Sequence, residues 1–226
     1  MKIRIYTTNT LLLHKTVLLN EEQTHYITKV MRLGVHDEIL LFNKESGEFL
    51  CSIQEVSKKH SVCKIVTKIR DFQEPEIHLT CVFSIIKPKN VELIIQKCTE
   101  IGVTEFIPLE TTRTNDSKLN IERLQKIIIE ASEQCGRLDI PKITEIMTIK
   151  ELMELSKNGG EFILLHQDGI NYKPTNNKRL IIIGPEGGFS EKELKELENF
   201  TQKVQISKNI LRAETAAILG CGIFLL

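Results

Sequence analysis

The stretch of this chain with the most chemical content is Leu180-Ile181-Ile182-Ile183-Gly184-Pro185-Glu186-Gly187-Gly188-Phe189-Ser190. Its first four residues form the continuous apolar run of a strand buried on both faces. Ser190, with Glu193 three residues later, has the spacing of a capping box and opens a helix. The six residues between them therefore leave the carboxyl end of a strand, the place where open α/β sheets bind ligands. Glycines there let ligand atoms approach the backbone, and Pro185 stiffens the turn. The arrangement suits a nucleoside. It suits a phosphate less well, because the spacing matches neither the P-loop nor the dinucleotide fingerprint and no lysine follows the glycines. The plainer alternative is a tight strand-to-helix turn.

A second segment, Ile206-Ser207-Lys208-Asn209-Ile210-Leu211-Arg212-Ala213-Glu214-Thr215-Ala216, leaves another strand and enters an apolar helix over 213–226. Arg212 and Glu214 stand where that helix begins, as a pair that positions a substrate or as a helix-start ion pair. The helix is apolar on too many sides for a solvent-facing element and too short to span a bilayer, which makes it core or a dimer seam. Lys87, Lys97 and Arg113 are placed near strand ends of the same sheet, where cations can hold phosphates, although Lys97 and Glu100 also read as a surface pair one helical turn apart. The segment 130–137 puts a polar cluster at the end of a helix stopped by Gly136.

Two textures position these residues. Over the first 70 residues, short β-branched or alternating segments at 3–6, 38–42, 49–56 and 62–69 predict strands, with Cys63, Ile65, Thr67 and Ile69 on one face. Residues 43–47 read as a hairpin connection, and one helix runs from an Asn20 cap, with Gln23 completing a capping box, to Leu33. Short strands with little helix suggest a small barrel. After a linker at 71–75, apolar strands at 77–83, 105–107, 162–165, 180–183 and 204–206 alternate with amphipathic helices, one capped by Asn90 and ended by Gly102, the next carrying Leu124, Ile127, Ile128, Ala131 and Cys135. The expected domains are thus 1–72 and 73–226, the second α/β with a mostly parallel sheet and flanking helices.

The formal net charge is zero over 226 residues, so the whole molecule does not advertise a polyanion partner. Residues 1–72 hold 11 Lys plus Arg against 8 Asp plus Glu, a local excess that fits an RNA-facing front end. No secretory signal and no apolar stretch of spanning length is evident, which predicts a cytoplasmic protein with no membrane partner. The six cysteines have no paired short spacing, which argues against a zinc site and a disulfide framework and predicts buried thiols.

In order along the chain, Arg4-Ile5-Tyr6, residues 25–33, Gln96-Lys97-Cys98-Thr99-Glu100-Ile101-Gly102, Glu133-Gln134-Cys135-Gly136-Arg137, the Gly184–Gly188 turn and Ile210-Leu211-Arg212-Ala213-Glu214-Thr215 together resemble the RsmE family. These are bacterial methyltransferases acting on N3 of a uridine in 16S ribosomal RNA. The family belongs to the SPOUT class, so the resemblance implies a knotted, mostly parallel sheet preceded by a PUA-like β-barrel, a homodimer, and S-adenosyl-L-methionine as cofactor with no metal. It further implies that loops around Leu165 and His166, around Gly184, Pro185, Glu186, Gly187 and Gly188, and around Ile206, Ser207, Ile210 and Leu211 wrap the cofactor. The family usually has Leu-Gly where this chain has Ile206-Ser207, and a serine would be strained there at positive φ.

Methyl transfer to uracil N3 needs placement, plus removal of the N3 proton or stabilisation of the developing anion. On that scheme Arg212 steadies the anion or the phosphate, Glu186 or Glu214 assists proton removal, and Arg4, Arg32, Lys87 and Arg113 hold the RNA of the small ribosomal subunit. The competing readings are a non-catalytic RNA-binding ribosome-assembly factor and an enzyme acting on a nucleotide phosphate. The missing lysine and carboxylate metal-site signatures weigh against the second.

Overall fold

The computed structural model describes residues 2–114 and 119–225 and divides into two compact units. The first holds Met1–Glu74 together with Ser132–Ile140, and the second holds Pro75–Ala131 and Pro141–Leu226.

In the first unit the strands β1 (Arg4–Tyr6), β2 (Thr16–Leu19), β3 (Glu38–Asn43), β4 (Gly47–Val56) and β5 (Ser61–Arg70) form one sheet in the order β1-β3-β4-β5-β2. Only β1 and β3 run parallel; the other pairs are antiparallel. The β4–β5 register shifts at three points, and such bulges bend strands in the way that curls a small sheet toward a barrel. The inner face carries Ile5, Leu41, Cys51, Ile53, Cys63 and Ile65, closed from one side by Ile27. The expected common face of β5 ends at Ile65, because Thr67 and Ile69 are exposed where the strand runs past its core.

The Asn20–Gln23 capping box forms as expected, and α1 (Glu21–His25) follows it. The helix does not continue to Leu33. It widens into a π-helical turn, Tyr26–Val30, in which Met31 N–H donates to the Tyr26 carbonyl, and Arg32 then adopts φ +57. The Thr28 hydroxyl donates to the Thr24 carbonyl at 2.7 Å, a back-bond of the kind that bends helices. Strand β2 is absent from the sequence reading because its four residues show only two to the core and sit at a sheet edge.

Arg4 is buried in this unit. Its guanidinium donates to the Glu48 carboxylate at 2.6 Å and to the carbonyls of Ser132, Glu133 and Arg137 at 2.8–2.9 Å. Arg70 takes the other Glu48 oxygen at 2.8 Å. Burial alone would push the Glu48 carboxyl up, but the hydrogen bonds and charges of Arg70 and Arg4 outweigh it and hold the group below the usual carboxylate range. Glu48→Gln removes the carboxylate that bonds both cations, and at neutral pH it should cost about 3 kcal/mol in urea unfolding, the scale for breaking a buried pair. Since the folded pKa lies below the unfolded one, the carboxylate's contribution is complete above the unfolded value and fades as pH falls through the folded one. The gap between wild type and Glu48→Gln should therefore close on acidification; a gap constant with pH would refute this account.

The second unit is a six-stranded, wholly parallel sheet built from β6 (His78–Ser84), β7 (Glu105–Leu109), β8 (Lys142–Ile143), β9 (Glu161–Ile170), β10 (Lys178–Ile183) and β11 (Gln202–Val204), in the order β11-β9-β10-β6-β7-β8. Strand side chains alternate between faces. Val82, Ile107, Leu164 and Ile182 meet α4 (Ile149–Ser156) and α5 (Glu191–Glu198) through Ile149, Leu152 and Leu197. On the other side α2 (Pro88–Ile101) packs on α6 (Ala213–Leu225), and α6 packs on β6 and β10. Helix α2 starts at Pro88, with Lys87 as its cap, rather than at Asn90; proline at the first helical position presets the backbone and frees the Asn90 side chain for other use. The remaining helix, α3 (Ile121–Cys135), ends at Gly136, whose φ is +88. The expected last residue of α6, Leu226, lies outside the described residues. No described helix is long and apolar enough to cross a membrane.

Candidate active site

Strands β11, β9, β10 and β6 are consecutive in the sheet and parallel, so their carboxyl ends lie along one edge. Ile183 stands opposite Phe83, and Ile182 opposite Leu164. The residues at that edge are those singled out by residue type: Leu165-His166, still inside β9 where it runs past the end of β10, and the segments Gly184-Pro185-Glu186-Gly187-Gly188 leaving β10 and Ile206-Ser207 through Leu211 following β11. β6 leads on to β7 on one side while β10 leads past β9 to β11 on the other, so the sheet changes winding direction between β10 and β6, where ligand crevices form.

The glycine-rich segment closes as a turn, with Gly188 N–H donating to the Pro185 carbonyl at 2.8 Å and Gly188 at φ +69. Neighbours hold it in place. Arg113 donates to the Gly187 carbonyl. Thr112 N–H donates to Glu193 at 2.6 Å, while the same carboxylate caps α5 through Ser190. Burial would raise the Glu193 carboxyl, but the N–H groups of Thr112 and Ser190 more than offset it and keep it below the normal carboxylate range. Glu193 thus ties the segment after β7 to the turn after β10.

The other wall is a chain crossing. The β9–β11 register jumps between Lys203 and Val204, Gln205 N–H donates to the Ile170 carbonyl at 3.1 Å, and the Gln205 side chain donates to the Gln167 carbonyl at 2.8 Å. A Cβ on Gly169 would stand 2.3 Å from the Val204 carbonyl carbon, so only glycine permits this approach. Beneath the crossing, Gly220 of α6 faces Leu165 and Ile206. Ser207 is not among the residues at positive φ, so the family glycine is not required for its backbone; its hydroxyl accepts from Asn209 N–H at 3.0 Å. Ile210 is 83% exposed, an apolar side chain held out over the loops.

Glu186 is exposed and Glu214 buried, and the Asn90 amide reaches both, at 3.5 and 3.4 Å. Arg212 and Glu214 form no ion pair. The Arg212 carbonyl accepts from Ala216 N–H at 2.8 Å, which makes Arg212 the cap of α6, with its side chain exposed and free of any ion pair among the described residues. A family model described as an RNA methyltransferase domain matches residues 73–225, and one described as an RNA methyltransferase PUA domain matches residues 19–66. The ribosomal RNA small subunit methyltransferase E of Rickettsia conorii is 35% identical over 90% of this chain and 86% of its own. This chain belongs to that family. A methyltransferase from Legionella pneumophila, solved in complex with the bound cofactor SAM, superposes with a TM-score of 0.91 at 28% identity, covering 99% of this chain and 97% of its own. The methyltransferase E of Neisseria gonorrhoeae, bound to S-adenosyl methionine, shares the fold at TM-score 0.91 and 23% identity, over 99% and 96% of the two chains.

Within this family frame the other sequence-picked residues separate. Arg4 leaves the RNA-holding set, because its guanidinium is buried and committed to Glu48 and three carbonyls. Lys97 spends its charge on Glu100 at 2.8 Å. Arg32 and Lys87 are exposed and form no ion pair with any described residue, and Arg113 is exposed but pinned to Gly187. Residues that sequence reasoning passed over are Asn90, taken as a cap, Thr112, and Glu193 in its second role. No local pattern marks them, since their partners lie 81 to 124 residues away.

Proposed function

We propose that this chain transfers a methyl group from S-adenosyl-L-methionine to N3 of a uridine in 16S ribosomal RNA of the small subunit. The carrying observation is the convergence, at one edge of a parallel sheet, of the Leu165-His166 stretch of β9 with the segments after β10 and β11, with a glycine turn fixed from behind by Arg113 and Glu193. Such a crevice offers backbone groups for a nucleoside and apolar side chains for its rings, which is the donor set S-adenosylmethionine needs. The residues that would hold it are Leu165, His166, Gly184, Pro185, Glu186, Gly187, Gly188, Ile206, Ser207, Ile210 and Leu211. When bound, the cofactor supplies an electrophilic methyl on a sulfonium whose leaving thioether is neutral.

The protein's task is then placement and charge. Arg212, at the amino end of α6, stabilises negative charge on the uracil, assisted by the positive end of the helix. Glu186 or Glu214, linked through Asn90, takes up the N3 proton. Arg32, Lys87 and Arg113 hold RNA phosphates. Residues 1–72 act as the RNA-binding domain and 73–226 as the catalytic one, in the cytoplasm. The crossing at Gly169 belongs to a trefoil knot, and Leu219 and Ile223, exposed on α6, form the seam of a homodimer.

Calorimetry tests the reading directly. The folded chain should bind S-adenosylmethionine and its demethylated product with neither RNA nor metal present, and ATP should not compete. Ribosomal RNA from cells lacking the protein should also miss one methyluridine by mass spectrometry. Absence of any affinity for the cofactor would leave an RNA-binding assembly factor as the better description.

A further inference from the structure

Three cysteines meet in the core of the second unit. Cys81 of β6, Cys98 of α2 and Cys221 of α6 are all fully buried, and their Sγ atoms lie within 4.8 Å of one another. They come from three elements that pack together on one face of the sheet. All three are free thiols. The spacings of 17 and 123 residues have no metal-site pattern, which is why the sequence alone speaks against a metal site, but the fold brings the sulfurs together. The expectation of buried thiols fails at Cys135, which is exposed.

We propose that Cys81, Cys98 and Cys221 form a three-sulfur site for a soft, three-coordinate metal ion, Cu(I). A planar three-coordinate ion with metal–sulfur bonds of ~2.3 Å separates its sulfurs by about 4 Å. With every separation within 4.8 Å, the three sulfurs are already close to that size. The donor set decides the ion. Among the described residues no histidine, aspartate or glutamate joins the cluster, so the ligands are sulfur alone, the type that soft ions select. Structural Zn(II) requires four ligands, and a site with no exposed surface offers neither a fourth side chain nor ready water. The thiol protons displaced on binding leave to solvent. None of the three cysteines is among the residues proposed to hold the cofactor or the uracil.

The test uses the full chain, reduced and anaerobic, with Cu(I) buffered by a chromogenic Cu(I) chelator, added to the native protein and, in parallel, during refolding. One Cu(I) per chain should be retained against the chelator. X-ray absorption at the copper edge of the wild-type protein should show three sulfur neighbours and no nitrogen or oxygen. Cys98→Ser and Cys221→Ser should each lose that equivalent, while Cys135→Ser keeps it. Retention of no copper by either route, fewer than three sulfurs, or equal retention by Cys98→Ser would overturn the proposal, as would Zn(II) held at one equivalent where Cu(I) is not. Because the edge spectrum is read on the unaltered chain, a serine variant that fails to fold does not shield the idea.

Discussion

Arg212→Ala should lower the turnover number for methylation of small ribosomal subunits by about 10²- to 10³-fold, the scale for losing a group that stabilises transition-state charge. Its affinity for S-adenosylmethionine, measured without RNA, should stay at the wild-type level. The separation follows from where Arg212 sits. As the cap of α6 it presents a cation at the positive end of a helix dipole, where a positive charge opposes helix stability by a few tenths to about 1 kcal/mol. It also has no ion pair among the described residues to recover that cost. A side chain at that position for structural reasons would be an acid or a hydroxyl, as Ser190 and Thr148 are at the starts of α5 and α4. Thermal unfolding of Arg212→Ala should therefore be unchanged or slightly improved. A variant that loses stability and activity together would make Arg212 a scaffold residue, and one that methylates at the normal rate would remove it from the scheme.

What was legible beforehand follows the range of the interaction. The turn at Gly184–Gly188 and the Ser190–Glu193 and Asn20–Gln23 capping boxes are three- to five-residue signals, and they form as read. The alternation of apolar strands with amphipathic helices gives the α/β class, because a strand buried on both faces has to be apolar throughout. Strand β9 shows where this stops. Its apolar run ends near Leu165, but the chain stays extended to Ile170 because β11 supplies a partner across a register shift. Arg4 shows the same limit in a charged residue. An exposed RNA-binding arginine and a buried one gripping the end of a helix 128 residues away are identical in sequence. Asn90 has a cap's composition and lies three residues past the real cap; the amide that links Glu186 to Glu214 appears only when α2 and α6 are packed side by side. The family resemblance expects a loop at Leu165-His166, which the structure places inside β9, and partner assignments in all three segments needed coordinates.

Gly169→Ala should destabilise the second unit and weaken cofactor binding at once. The added methyl carbon would stand 2.3 Å from the Val204 carbonyl carbon, 2.5 Å from Gln205 N and 2.6 Å from Val204 Cα. All three are backbone atoms, so no side-chain rotation relieves the overlap, and β11 has to move away from β9. Overpacking of this sort costs about 1–3 kcal/mol even where side chains can adjust. Separation of the strands also strains the Gln205 bonds to Ile170 and Gln167, which set where the 206–211 loop leaves the sheet. If that loop contributes backbone and Ile210 contacts to the cofactor, a displacement that loses ~1.4 kcal/mol lowers affinity tenfold. Calorimetry on Gly169→Ala should show at least that loss, and urea unfolding a reduced midpoint. Gly34→Ala, where an added Cβ meets nothing within 4 Å, is the matched control and should bind as wild type does. Gly169→Ala binding the cofactor at full strength despite lowered stability would separate the crossing from the site, and the cofactor would then have to be held by the Gly184–Gly188 turn without help from the β11 loop.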